Sequence, residues 1–168
     1  VEQGAKLHPN HPIESMKNLL AEDYDAIFVG TGAPKGRELD LPGRYNTDQI
    51  FVGIAWLESV AFEHIESVGE RVLIIGGGNT AMDCCRTSLR LGGKEVKVLY
   101  RGTRDRMKSS DWELEPALEE DVELVLNHSP EEYIVEEGKL VGMKFAVLEW
   151  SKDKNGKLKS TKTEEVII

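Results

Sequence analysis

The sequence predicts an α/β fold, in which a parallel sheet is built around a βαβ unit and an antiparallel β-meander is appended to it. Two short apolar runs, Arg71–Ile75 and Glu95–Tyr100, enclose a stretch of helical length, and three glycines separate the first run from that stretch. Three further strand-like segments follow near the end of the chain with only turn residues between them. A helix that joins two strands over so short a range requires a parallel, right-handed crossover.

Three elements are predicted ahead of the βαβ unit. Residues 13–20 suggest a short helix. Residues 24–29 (YDAIFV) are an apolar run that stops at the breakers of residues 30–34, which is typical of a buried strand. After a turn-rich connector at residues 36–43, apolar side chains recur every three to four residues through residues 48–64 and predict an amphipathic helix.

The βαβ unit is the clearest part of the pattern. The run Arg71–Ile75 is apolar without alternation, which indicates a strand covered on both faces. Residues 79–91 carry an apolar stripe at helical spacing, and the glycine pair after them suits a C-terminal cap. The run Glu95–Tyr100 then returns as the second strand.

The remaining segments extend this core. Residues 109–120 predict a helix in which Ser110 and Glu113 are spaced as a capping box, and residues 122–127 predict a third strand. The meander that follows has hairpin turns at residues 137–138 and 154–156, and its predicted strands are residues 133–136, 140–150 and 161–168.

Composition excludes several classes of function. With 21 basic and 30 acidic residues the net charge is -9, so polyanions are repelled and neither nucleic acid nor an anionic membrane is an expected partner. No apolar run approaches the roughly 20 residues of a membrane span, and no signal peptide is evident, which predicts a cytoplasmic protein. The adjacent Cys84 and Cys85 form no CxxC pair and are expected to be reduced packing residues.

The side chains that could bind a metal or stack on a ligand are dispersed along the sequence. The four histidines show no metal-site spacing, so no metal is predicted. The three tryptophans, Trp56, Trp112 and Trp150, are too far apart in sequence to define a stacking platform, and each is expected in the core or at an interface.

The glycine turn at residues 76–81 is the candidate ligand-binding site of the sequence. In its GxGxxA pattern, Gly76 permits a tight turn, Gly78 lets the backbone approach a pyrophosphate, and Ala81 lets the helix pack close to the strand. The first amides of the helix then face the phosphates as an anion site. The alternative is a tight strand-to-helix turn without a ligand. We predict a Rossmann-like dinucleotide site at Gly76, Gly77, Gly78, Asn79, Thr80 and Ala81.

Cofactor choice depends on the end of the second strand, where an NAD site places an acidic residue for the ribose hydroxyls. This sequence has Tyr100 and Arg101 there, followed by Arg104 and Arg106. A guanidinium suits the additional 2′-phosphate of NADP(H), and Arg101 is the strongest candidate. The alternative is a solvated basic loop. The prediction is NADP(H).

Three segments resemble one known family. VLIIGGGNTAMDCCRTSLRLG (residues 72–92) and VKVLYRGTRDRM (residues 96–107) are similar to the pyridine-nucleotide domain of the small subunit of NADPH-dependent glutamate synthase and its relatives. YDAIFVGTGAPKGRELDLPG (residues 24–43) resembles the segment that joins the FAD and NAD(P) domains in flavoproteins with two dinucleotide-binding domains. LVGMKFAVLEW (residues 140–150) resembles the family's meander.

The resemblance implies an electron-input module in which NADPH gives a hydride to a flavin. Electrons then pass to a larger catalytic subunit or an iron-sulfur protein. The cofactors supply the chemistry, so no catalytic acid or base is expected. The resemblance also implies that Arg101 and one of Arg104 or Arg106 meet the 2′-phosphate.

Two departures from the family pattern limit what the chain is expected to do alone. Lys108 and Ser109 stand where relatives commonly carry Pro-Ala, and the sequence has a single glycine fingerprint where the family needs a second for FAD. We therefore expect a fragment: residues 1–47 belong or link to a missing FAD domain of the same chain, and residues 48–168 form the NAD(P)H-binding domain. The fragment alone is expected to be inactive.

A second hypothesis comes from a different class, a non-catalytic module that senses NADP(H). A second GxGxxG and cysteine clusters in the sequence flanking this chain would favour the oxidoreductase. Thioredoxin reductase, a structural cousin, would show CxxC in this domain, and the sequence lacks that motif.

Overall fold

The structure, a computed structural model, describes residues 4–32 and 35–168. Its contacts divide the chain into two units, Val1–Ala33 and Pro34–Ile168.

The helices are short. They are α1 (Met16–Leu19), α2 (Gly53–Ala61), α3 (Asn79–Arg90) and α4 (Asp111–Glu119). The longest, α3, has 12 residues. Within residues 4–32 and 35–168, no helix combines the length and the hydrophobicity that crossing a membrane requires.

The first unit contains α1, which lies inside the predicted helical segment. Ser15 caps it by accepting a hydrogen bond from the Asn18 amide at 3.3 Å. The predicted strand at residues 24–29 is wrong, because this segment is not paired in any sheet and Phe28 is 95% exposed. A strand needs a neighbouring strand for its amides and carbonyls, and residues 4–32 supply none. The predicted turn at residues 30–34 lies partly outside the described residues.

In the second unit, α2 is shorter than the amphipathic pattern of residues 48–64. Val52 has extended backbone and precedes the helix, whereas Glu63, with φ +60°, leaves the helical conformation just after its end. Trp56 is the buried residue of α2, which confirms the core position expected for it.

The parallel sheet consists of β1 (Arg71–Ile75), β2 (Glu95–Tyr100) and β3 (Glu123–Leu126), in the order β1-β2-β3. β1 pairs with β2 in parallel, and β2 pairs with β3 in parallel. The βαβ unit is therefore confirmed. Gly92, with φ +99°, follows α3 in a left-handed conformation that favours glycine.

α4 begins after Ser110, but the predicted capping box does not form. The Glu113 amide donates to the Ser110 carbonyl at 3.1 Å, and the Ser110 hydroxyl has no partner among the described residues. Because that amide is already satisfied by a backbone oxygen, the hydroxyl is not required as its cap.

An ion-pair network joins α3 to the end of α4. Glu120 accepts hydrogen bonds from Arg86 at 2.9 Å and from Arg90 at 2.9 Å. The Arg86 bond is the main cause of the lowered pKa of Glu120, and burial partly opposes it. These hydrogen bonds connect α3 to the residue that follows α4.

The meander forms a second sheet from β4 (His128–Glu136), β5 (Lys139–Lys152) and β6 (Leu158–Ile167). Its order is β4-β5-β6 with antiparallel pairs throughout, which confirms the predicted architecture. Glu137 and Gly138 both have positive φ, as a tight two-residue hairpin turn requires.

Two hydrophobic clusters cover the parallel sheet. One contains Met82, Cys85 and Val98, with contributions from α3 and α4. The other contains Leu99 and Phe145, and it joins the sheet to the meander. Both faces of the sheet are buried, as the apolar run of β1 predicts, so a ligand site is left to the edge where the strands end.

Candidate dinucleotide-binding site

The glycine turn lies at the carboxyl end of β1. Gly76 has φ +147°, and its amide donates to the Leu99 carbonyl of β2 at 3.0 Å. A Cβ added at Gly76 would be 3.7 Å from the Cβ of Ala81, so α3 begins close against the turn. The positive φ of Gly76 fits the tight turn predicted there, and the close approach of α3 fits the role predicted for Ala81.

The start of α3 presents unused amides. Gly78 is the N-cap residue, and its carbonyl accepts from the Ala81 amide at 2.9 Å. The amides of Asn79 and Thr80 precede this first bond and have no intrahelical acceptor. A Cβ added at Gly78 would meet nothing within 4 Å. The turn thus offers backbone donors on an open face, which is an anion site.

The loop after β2 is fixed to the glycine turn. The amides of Lys108 and Ser109 both donate to the Gly77 carbonyl, at 2.8 and 3.0 Å. The Ser110 amide donates to Oδ1 of Asn79 at 3.1 Å. Lys108 supplies an amide that a proline at this position would lack, so this departure from the family pattern adds a backbone bond to the turn.

Tyr100 joins the same two segments. A Cβ added at Gly77 would stand 2.8 Å from Cδ2 of the Tyr100 ring, and one added at Gly102 would stand 2.8 Å from Cε1. The Tyr100 hydroxyl donates to the Arg106 carbonyl at 2.8 Å. The ring therefore packs against backbone that only glycine leaves open.

The three candidate arginines have different surroundings. Arg101 is exposed and forms no ion pair with any residue that the structure describes. Arg104 pairs with Asp111 of α4, with Nη2 2.5 Å from Oδ1. Arg106 lies over the ring of Trp150, with its Cζ 4.1 Å from the ring centroid. Sequence alone makes Arg104 and Arg106 equivalent, and the structure distinguishes them.

A cleft of about 370 Å³ opens beside the turn, at the carboxyl ends of β1 and β2. Gly76, Tyr100 and Arg101 are the predicted site residues in its walls. The rest of the predicted turn lies at the adjacent start of α3, and the other two arginines lie on the following loop. Sequence reasoning missed the other five wall residues, of which three come from the connector and β4: Leu39, Ser129 and Pro130.

The remaining candidate residues do not form a second site. Cys84 and Cys85 are buried, which confirms them as packing residues. Across residues 4–32 and 35–168, no group of histidine, cysteine and acidic side chains could hold a metal. Trp112 is 73% exposed and is not a core residue.

Burial raises the pKa of the Cys84 thiol to about 12 and that of the Cys85 thiol to about 11. Only the thiolate is nucleophilic, so we expect both thiols to react with iodoacetamide at pH 8 at least ~100-fold more slowly in the folded chain than in urea. Mass spectrometry of the alkylated chain measures this ratio. Rapid labelling of either cysteine without denaturant would contradict the packing assigned to α3.

A parallel βαβ sheet with an open glycine turn at its carboxyl edge is the architecture of dinucleotide-binding domains. The chain belongs to the pyridine nucleotide-disulphide oxidoreductase family, whose model matches residues 3–162.

Known proteins agree with this assignment. The NADPH-Fe(3+) oxidoreductase subunit beta of Geobacter sulfurreducens is 33% identical over 124 residues, which cover 73% of this chain and 18% of that protein. The glutamate synthase [NADPH] small chain of Halomonas elongata is 35% identical over 136 residues, which cover 76% of this chain and 28% of that protein. The resemblance to the glutamate synthase small subunit is confirmed. The chain spans less than a third of either relative.

Among solved structures, Mycobacterium tuberculosis FprA in complex with NADPH aligns with a TM-score of 0.68 and 19% identity. The alignment covers 90% of this chain and 49% of FprA. This likeness shows the fold.

Proposed function

We propose that this chain is the NADPH-binding domain of a flavin-dependent oxidoreductase, in which it positions NADPH for hydride transfer to FAD. The observation that carries the proposal is the open glycine turn beside a cleft walled by Arg101. Family membership supports the reaction class, and the contacts at the carboxyl edge of the sheet support the cofactor.

The pyrophosphate is assigned to the glycine turn. Amides at the start of α3 lack intrahelical acceptors, and the open space above Gly78 lets an anion reach them. The helix dipole adds partial positive charge at the same place. In this protein of net charge -9, we assign the binding of the pyrophosphate to backbone groups of the turn.

The 2′-phosphate is assigned to Arg101. An NAD site would place a carboxylate at the end of β2, where it hydrogen-bonds the ribose hydroxyls and repels a phosphate. Tyr100 and Arg101 occupy that place, and Arg101 lies in the wall of the cleft. We assign the adenosine half of the cofactor to this cleft, whose walls also include Ser129 and Pro130.

The flavin is assigned to a further domain of the full-length protein. The single glycine fingerprint of this chain is used by NADPH, so its own residues bind and orient the nicotinamide cofactor while the flavin accepts the hydride. Residues 48–168 form the nucleotide domain in this proposal, and residues 1–47 link it to the FAD domain. A larger catalytic subunit or an iron-sulfur protein receives the electrons.

Anaerobic mixing of NADPH with the full-length protein tests this function. We expect bleaching of the flavin absorbance by NADPH, whereas the 168-residue chain alone binds NADPH and does not oxidise it when FAD and ferricyanide are added. A full-length protein without flavin that still binds NADPH would favour the sensing module. NADPH oxidation by the chain alone would contradict the assignment of the flavin to a further domain.

A further inference from the structure

We infer that Trp150 of β5 is a positioning residue for the 2′-phosphate: its indole ring holds Arg106 by one face and leaves the edge of the guanidinium for the ligand. The inference rests on the proposed NADP(H) site and deepens it. It assigns a role in cofactor choice to the meander sheet.

Arg106 and Trp150 are in direct contact. The Cζ atom of Arg106 lies 4.1 Å from the centroid of the Trp150 ring, well inside the roughly 6 Å range of cation–π attraction. Tryptophan has the most favourable ring for this interaction. The five N–H donors of arginine lie in the guanidinium plane, so stacking uses a face and leaves the donors available.

Arg106 and Arg104 differ in what their guanidinium groups contact. Arg104 donates from Nη2 to the Asp111 carboxylate at 2.5 Å, so an edge of its guanidinium is engaged. The side chain of Arg106 donates to no residue within the described part of the chain. Of these two arginines, Arg106 is therefore the one whose donors can turn to a phosphate without breaking an ion pair.

Backbone hydrogen bonds join the loop of Arg106 to β5. The Asn127 amide donates to the Gly102 carbonyl at 3.1 Å, and the Leu148 amide donates to the Asn127 carbonyl at 2.8 Å. Leu148 is two residues before Trp150 on the same strand. These two backbone hydrogen bonds connect the loop after β2, through Asn127, to the strand that carries Trp150.

One edge of the Trp150 ring is buried. The indole Nε1 of Trp150 is buried and has no hydrogen-bond partner among the residues that the structure describes. A buried indole usually satisfies this donor, and leaving it unpaired costs stability. The face of the ring, and not this edge, is the part that lies against Arg106. An arginine already held in place loses less conformational entropy when phosphate binds.

The test compares 2′,5′-ADP with 5′-AMP, which differ only in the 2′-phosphate. We expect Trp150→Leu to weaken binding of 2′,5′-ADP by about 3- to 10-fold, and to change binding of 5′-AMP by less than about 2-fold. Trp112→Leu removes an exposed tryptophan of α4 and is expected to change neither. Equal weakening of both nucleotides by Trp150→Leu would mean a merely structural role and would overturn the inference.

A double-mutant cycle tests whether Trp150 acts through Arg106. In an Arg106→Ala background, Trp150→Leu should weaken 2′,5′-ADP binding no further, because the ring then has no cation to hold. Independent, additive losses would overturn the inference. Progressive fluorination of Trp150 keeps its shape and weakens its negative face, so affinity for 2′,5′-ADP should fall stepwise even if the leucine variant does not fold. Unchanged affinity for 2′,5′-ADP across that series would also contradict the inference.

The unaltered chain separates the two proposals. If it binds 2′,5′-ADP no tighter than 5′-AMP, the proposed NADP(H) site fails. If it discriminates between them and Trp150→Leu preserves the ratio of affinities, only the role of Trp150 fails.

Discussion

Replacement of Gly78 by alanine is expected to weaken NADPH binding by about 100-fold, because one or two charge-assisted bonds to the pyrophosphate are lost. Gly78 has φ -114°, which alanine adopts, and a Cβ there would meet no heavy atom within 4 Å. The methyl group would instead occupy the space through which phosphate reaches the amides of α3. Folding is therefore expected to be preserved while binding is lost.

Gly69→Ala is the matched control for this substitution. Gly69 is exposed just before β1, and a Cβ there would approach only the Arg71 carbonyl, at 3.9 Å. Calorimetric titration with NADPH and thermal unfolding of both variants give the comparison. Unchanged NADPH affinity in Gly78→Ala would remove the glycine turn from the site.

Replacement of Arg101 by alanine is expected to weaken NADPH binding by roughly 10- to 100-fold, through loss of the charge-assisted contact with the 2′-phosphate. NADH lacks that phosphate, so its affinity should change little. Because Arg101 is exposed, its attraction for phosphate is screened by salt, and titrations need one fixed ionic strength. The measured quantity is the ratio of NADPH to NADH affinity.

Arg104→Ala removes the same charge from the same loop and serves as the control. Since Arg104 is already paired with Asp111, we expect its removal to change NADPH affinity by less than about 3-fold. If Arg104→Ala cost more than Arg101→Ala, the assignment of the 2′-phosphate to Arg101 would be reversed.

The parts of the fold that depend on local pattern could be predicted from the sequence. β1, α3 and β2 follow from apolar runs, helical spacing and glycine, and the structure has them at nearly the predicted bounds. The run at residues 24–29 has the same local character but forms no strand in its unit. A strand depends on pairing with a distant segment, and periodicity does not encode that pairing.

The candidate site also has residues that the local sequence pattern predicts and residues that it does not. The glycine turn and Arg101 could be predicted, because each lies at the end of a strand whose bounds are evident. Ser129, Pro130 and Trp150 could not, because the packing of the meander brings them to the loop after β2 and no short motif marks them. The different partners of Arg104 and Arg106 likewise arise from α4 and β5.

The central claim is that this chain binds NADP(H) and distinguishes it from NAD(H). Calorimetric titration of the unmodified 168-residue chain with NADPH and with NADH, at one ionic strength, tests it most directly. We predict a single site that binds NADPH at least ~10-fold more tightly than NADH, since one additional charge-assisted phosphate contact supplies that difference. Equal affinity for the two cofactors, or the absence of binding, would contradict it.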